Sequence, residues 1–123
     1  MRTISTLHIV VLVVEDEPII RMDAVDIIRC AGFEVAEASN ADDAIRVMEH
    51  QPEIQIVFTD INMPGNVDGL QFAQSVRDRW PPVGIVVTSG HIGLAADDLP
   101  RDARFLPKPY GAGQLRQALH AFV

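Results

Sequence analysis

Blocks of apolar residues alternate along the chain with blocks of helical periodicity. Ile9 to Val14 is a continuous apolar run rich in Val, the pattern of a strand buried on both faces. Pro18 suits the first turn of a helix, and Ile20, Ala24, Ile27, Ile28 and Ala31 follow at helical spacing. Gly32 stands where a glycine closes a helix. Phe33 to Glu37 reads as a short second strand. Asn40 is placed to cap a second helix with the stripe Ala41, Ala44, Ile45 and Met48. Ile54 to Thr59 is a third strand. Asp68 can cap a third helix with Leu70, Ala73, Val76 and Trp80 inward, which Pro81 and Pro82 end. Val83 to Thr88 and Arg104 to Leu106 are the fourth and fifth strands, and Leu115, Ala118, Leu119 and Phe122 form the last helical stripe. Ile92 to Leu99 should supply the helix between those two strands. That stretch includes Gly93 and runs into Pro100, so a short or irregular fourth helix is expected.

Strands alternating with helices imply an α/β fold: a doubly wound parallel sheet with helices on both faces and right-handed crossovers. In such sheets ligands bind beyond the carboxyl ends of the strands, where the strand order reverses. The informative residues are therefore those that follow each strand. Glu15, Asp16 and Glu17 follow the first, Asp60 the third, Thr88 and Ser89 end the fourth, and Lys108 lies just beyond the fifth. A strand order of 2-1-3-4-5 brings Asp16 and Asp60 together.

Composition narrows the reading. The 123 residues suit a single domain, 1–123, large enough to bury a core without disulfide or structural metal. The net charge of -7 argues against nucleic-acid binding, which needs clustered Lys and Arg. The single cysteine, Cys30, is read as a small buried hydrophobe. The longest apolar run is too short to span a bilayer, and residues 1–8 carry no signal-peptide pattern, so a cytoplasmic protein is expected. His8, His50, His91 and His120 are scattered and read as surface residues. Nothing follows the last helical stripe, so no output domain is expected.

Carboxylates gathered at one sheet edge are costly. Two of them about 4 Å apart repel by roughly 4 kcal/mol at an effective dielectric near 20. A proton, a Lys or a divalent cation must offset this, and Lys108 can neutralise one charge. Oxygen ligands favour Mg²⁺, with Mn²⁺ as the alternative ion. A carboxylate beside Mg²⁺, a hydroxyl and a Lys is equipped to attack phosphorus in line and become an acyl phosphate. Glu17, beside Pro18, reads instead as a helix-start residue.

At this point VVEDE, FTDINMPG, DGL, VTSG and FLPKPY, in this order and spacing, are similar to the receiver domains of two-component response regulators, across nearly the whole chain. The resemblance implies a flavodoxin-like (βα)5 fold and a role for each position. Asp60 would accept the phosphoryl group from a sensor histidine kinase or phosphotransfer protein. Asp16 would hold Mg²⁺ directly, Glu15 directly or through water, and Asn62 through its backbone carbonyl, with Asp60 completing the set. Thr88 would bond a phosphoryl oxygen and Lys108 would bridge phosphate and Asp60. Lys108-Pro109 would be a cis bond. Phe105 falls at the switch aromatic position, against the plainer reading of a core Phe. Glu15 stands where Asp is commoner, and residues 64–69 form a turn one residue longer than in many receivers.

The function so implied is Mg²⁺-dependent phosphoryl acceptance that switches protein–protein interactions. The downstream protein is unknown, a homodimer is compatible, and neither nucleic acid nor membrane is expected as a partner. Three other readings are weighed. A receiver-like module that binds partners without phosphorylation would not need the acids, Thr88 and Lys108. A haloacid-dehalogenase-type phosphatase needs a second Asp two residues after the nucleophile, where this chain has Asn62. A flavin phosphate would be repelled by Glu15, Asp16 and Glu17.

Overall fold

The computed structural model describes residues 9–61, 69–90 and 99–123. In chain order these form β1 (Val10–Val14), α1 (Pro18–Cys30), β2 (Glu34–Ala38), α2 (Ala41–His50), β3 (Ile54–Asp60), α3 (Gly69–Arg79), β4 (Gly84–Ser89), β5 (Arg104–Pro107) and α4 (Ala112–His120). The five strands are parallel, in the order β2-β1-β3-β4-β5. The expected strand order and doubly wound class are therefore present, with strand limits displaced by at most one residue. The expected short fourth helix, the Asp68 cap and the Asn62 carbonyl fall on residues outside those described, as do His8 and His91.

The period-2 geometry of a strand divides the core into two layers. Leu12, Val14, Val57, Ile85 and Val87 face α2 and α3, where they meet Ala44, Met48, Phe72, Ala73 and Val76. Val11, Val13, Ile56, Phe58, Val86 and Leu106 face α1 and α4, where they meet Ala24, Val25, Ile28, Leu115 and Leu119. The central strands bury both faces, which is why they read as unbroken apolar runs.

Local signals act where the sequence places them. Asn40 Oδ1 accepts the Asp43 backbone N–H at 2.7 Å and caps α2. Gly32 takes φ 97°, the left-handed conformation that ends α1. Gly69 opens α3 against the end of β3. A Cβ there would sit on the Cα of Ile61 and 2.6 Å from the Asp60 carbonyl oxygen, so only glycine lets α3 start so close. Arg77, buried near the end of α3, donates to the carbonyls of Arg101 (2.8 Å), Pro81 (2.7 Å) and Val83 (3.0 Å).

Some expectations need correction. Cys30 is exposed rather than buried, because it lies about 200° around α1 from Ile28, on the side away from the sheet. Ile20 does not join the inward stripe. It is 39% exposed, and its neighbours Ile19 and Met22 are more so. The first turns of α1 lie past the carboxyl end of β1, and the buried residues of the helix begin at Ala24. Phe33 precedes β2 and packs in the α1/α4 layer instead of entering the strand. Phe105 stands on edge strand β5 with 37% of its surface exposed, so it is not a core residue. Trp80 is half-buried beyond the end of α3, with the Arg79 guanidinium 4.4 Å from its ring centroid. His50 and His120 are exposed, as expected.

Candidate functional site

The rows facing α1 and α4 are apolar until their last step. Val11-Val13 leads to Glu15, Ile56-Phe58 to Asp60, Val86 to Thr88 and Leu106 to Lys108. Four rows of one sheet face thus each end on a polar group at the carboxyl edge. Strand register brings them together: Asp60 is paired with Thr88, and Thr88 with Leu106, two residues before Lys108. The Lys108 backbone N–H donates to the Ser89 carbonyl at 3.0 Å, and the Ile61 N–H to the Thr88 carbonyl at 3.1 Å, which extends the sheet past its formal ends.

Lys108 Nζ donates to Asp60 Oδ2 at 2.6 Å and to Glu15 Oε1 at 3.3 Å. Glu15 and Asp60 are each 4% exposed. The other Glu15 oxygen, Oε2, accepts the Glu17 backbone N–H at 3.1 Å. Carboxylate oxygens of Glu15, Asp16 and Asp60 all lie within 4.8 Å of one another. Three acids against one Lys leave the site with excess negative charge. The electrostatics respond accordingly. Burial pushes the Glu15 carboxyl up to about 7; the Glu17 N–H opposes the rise, the Asp60 charge and an Asp16 hydrogen bond add to it, and Lys108 restrains it. Burial would lower the Lys108 ammonium, but the hydrogen bond and charge of Asp60, followed by Glu15, outweigh it and raise its pKa.

Two further groups complete the pocket. Thr88 Oγ1 is buried and has no hydrogen-bond partner among the described residues, at a residue only 2% exposed. A buried hydroxyl left unsatisfied costs free energy, and a catalytic or ligand-binding role is one of the few reasons a native protein keeps such a group. Tyr110 packs edge-on to Phe58 with ring centroids 5.6 Å apart, and burial raises its phenol to about 12. A groove of about 670 Å³ beside the site is lined by Ile19, Ile20, Asp23, Gly90, Lys108, Pro109 and Tyr110. The Lys108-Pro109 peptide is cis, as expected.

The donor set suits a hard divalent cation. All three side chains offer oxygen, two are buried, and the excess negative charge wants compensation. Of the residues singled out in the sequence, Glu15, Asp16, Asp60, Thr88 and Lys108 meet here, while Phe105 lies one strand position away from them, beside Val87. Glu17 is the N-cap of α1 but caps with no side-chain hydrogen bond. Sequence reading missed Arg21, whose guanidinium reaches the Glu15 backbone. Its signal was an Arg early in a helix, where the macrodipole disfavours a cation. It also missed the demand for glycine at position 69.

Comparison with known proteins agrees with this geometry. The family model of the response regulator receiver domain matches residues 11–120. The chain is 38% identical over 109 residues to the sensor kinase CckA of Brucella abortus (strain 2308), covering 85% of this chain and 11% of that protein. It is 30% identical over 103 residues to the response regulator receiver protein CpdR of the same organism, covering 81% of this chain and 84% of that one. Among solved structures, a response regulator receiver protein from Sinorhizobium medicae WSM419 superposes with a TM-score of 0.86 at 32% identity, over 93% of each chain. The receiver domain of NtrX from Brucella abortus does so with a TM-score of 0.83 at 30% identity, over 91% of this chain and 96% of that one. No helix among the described residues is long and apolar enough to cross a membrane. From the motifs, the sheet order and the match across residues 11–120, this chain belongs to the response regulator receiver domain family.

Proposed function

We propose that Asp60 accepts a phosphoryl group from the phosphohistidine of a histidine kinase or phosphotransfer protein in the cytoplasm, and that the modified domain then switches its protein contacts. The observation that carries this reading is the pairing of Asp60 with Lys108 beside a buried, unpartnered Thr88 hydroxyl. A carboxylate oxygen of Asp60 attacks phosphorus in line. The new O–P bond forms as the P–N bond breaks, and the departing imidazole nitrogen keeps the electron pair. Lys108 holds the attacking carboxylate in place and then faces the added phosphoryl oxygens. The Thr88 hydroxyl gains in one of those oxygens the acceptor it lacks. Mg²⁺ held by Glu15, Asp16, Asp60 and the Asn62 carbonyl would supply positive charge against the phosphoryl oxygens. Beyond taking and losing its own phosphoryl group, the domain needs no turnover chemistry.

The switch would run through β4 and β5. Thr88 is drawn towards the phosphoryl group, and Phe105, paired with Val87 and half in solvent, repacks into the space vacated. One modified side chain thereby biases two states of the surface.

The test is incubation with a small acyl phosphate or phosphoramidate, with and without Mg²⁺, followed by intact mass. One Mg²⁺-dependent phosphoryl adduct, missing from Asp60→Ala, is expected. Undiminished labelling of Asp60→Ala, or no adduct from these donors or from a kinase phosphohistidine, would overturn the proposal.

A further inference from the structure

Arg21 occupies an unfavourable place. It is the fourth residue of α1, where the positive end of the helix macrodipole repels a cation. Its ion pair with Glu37, Nε to Oε1 at 3.2 Å with the Glu37 side chain 42% exposed, is too exposed to hold it there by itself. The better contact is to the main chain: Nη1 donates to the Glu15 carbonyl at 2.8 Å. The Glu15 N–H in turn donates to the Ala38 carbonyl at 3.1 Å. Both peptide groups of Glu15 are therefore fixed from the β2 side, one by the end of β2 and one by an Arg anchored on β2. Elsewhere on the turn, the Glu17 carbonyl accepts the Arg21 N–H at 2.9 Å and the Glu17 N–H donates to Glu15 Oε2 at 3.1 Å. The N-cap side chain contributes nothing.

We infer that Arg21 is a positioning residue for the acidic pair: it sets the Glu15–Asp16 peptide plane, and with it the direction in which the Asp16 carboxylate meets Asp60. This inference rests on the proposed cation site. Its sign separates it from a plain charge effect. Removing a cation beside a Mg²⁺ site should tighten metal binding if charge alone matters. Removing a positioning residue should loosen it, as loss of outer-shell partners does, by about 10–100-fold in affinity.

The experiment is calorimetric Mg²⁺ titration of the full chain, wild type against Arg21→Met and Arg21→Lys, with unfolding midpoints of each in EDTA. Arg21→Met is expected to weaken Mg²⁺ binding about 10-fold. Lys, which keeps a charged donor for the Glu15 carbonyl, should recover part of the loss. Unchanged or tighter binding in Arg21→Met, with a wild type that binds, overturns the role of Arg21 and leaves the cation site standing. A wild type that takes up no Mg²⁺ overturns both. If Arg21→Met does not fold, Arg21→Lys decides, because it keeps the charge and changes only the geometry of the donor: weakened binding supports the inference and unchanged binding overturns it.

Discussion

Replacing Thr88 with Val should stabilise the unmodified protein. The side chains are nearly the same shape, so packing in the central strand is kept, and Val suits a strand at least as well as Thr. What changes is the hydroxyl. Thr88 Oγ1 is buried without a partner, and its residue is 2% exposed. An unsatisfied buried hydroxyl costs about 1–3 kcal/mol. We take about 1 kcal/mol as the expected gain, at the low end of that range because small shifts relieve part of the cost. For 123 residues the unfolding entropy is about 260 cal/mol/K, so this gain raises Tm by about 4 °C. The same substitution should have the opposite effect once Asp60 is phosphorylated. There the hydroxyl has an acceptor, so the rise in Tm on phosphorylation should be smaller in Thr88→Val than in wild type. Calorimetric scans of both proteins, with and without a phosphodonor, measure both quantities. A Thr88→Val protein that melts lower than wild type in the unmodified state would show that the hydroxyl is already satisfied and would refute the reasoning.

Lys108→Met leaves Glu15 and Asp60 facing each other without their cation, and should destabilise the protein by about 2 kcal/mol, with saturating Mg²⁺ restoring more stability than it gives wild type; chemical denaturation with and without the ion reads both. Gly69→Ala places a methyl on the Ile61 backbone and should cost about 3 kcal/mol in the same assay, while Gly90→Ala, with nothing among the described residues within 4 Å of its added Cβ, serves as the tolerant control. The Glu15 carboxyl has its pKa raised from 4.5 to about 7 in the folded, metal-free protein. The folded state then holds a proton that the unfolded state has lost, so the Glu15 contribution to stability is greatest below 4.5, falls as pH rises to about 7 and is level beyond. Comparing wild type with Glu15→Gln across that range isolates it, and Mg²⁺ affinity should climb over the same interval.

The legible part of the fold is the part set by local rules. Unbroken runs such as Val10–Val14 marked strands buried on two faces, Asn40 and Gly32 marked helix ends, and the polar residue that follows each apolar run marked the site. Glu15, Asp16, Asp60, Thr88 and Lys108 could be found because strand order turns positions far apart in sequence into neighbours. What escaped depends on three-dimensional approach. Helical spacing gives Ile20 an inward direction, but cannot say that the sheet ends beneath it. The same spacing puts Cys30 outside only once the buried stripe is known to run through Ala24, Val25 and Ile28. Phe105 joins a strand, yet that strand is an edge, so its ring stays half in water. Arg21 and Gly69 act on backbone atoms of other segments, contacts for which side-chain periodicity carries no signal.

The three bonds of Arg77 divide the molecule chemically. Its acceptors are the neutral carbonyls of Pro81, Val83 and Arg101, so no titrating group takes part. They gather where the chain enters β4 and approaches β5, at the end of the sheet opposite Asp60 and Lys108. The Arg77 anchor therefore offers acid no carboxylate to act on, unlike the cluster of Glu15, Asp16 and Asp60 at the other pole. The domain resembles an instrument with a calibrated pointer on a fixed mount. Protection factors at Val83 and Ala103, which are exchange rates corrected for the intrinsic rise with pH, should hold steady through the pH range that moves Glu15, giving an internal reference against which motion at the acidic pole can be read.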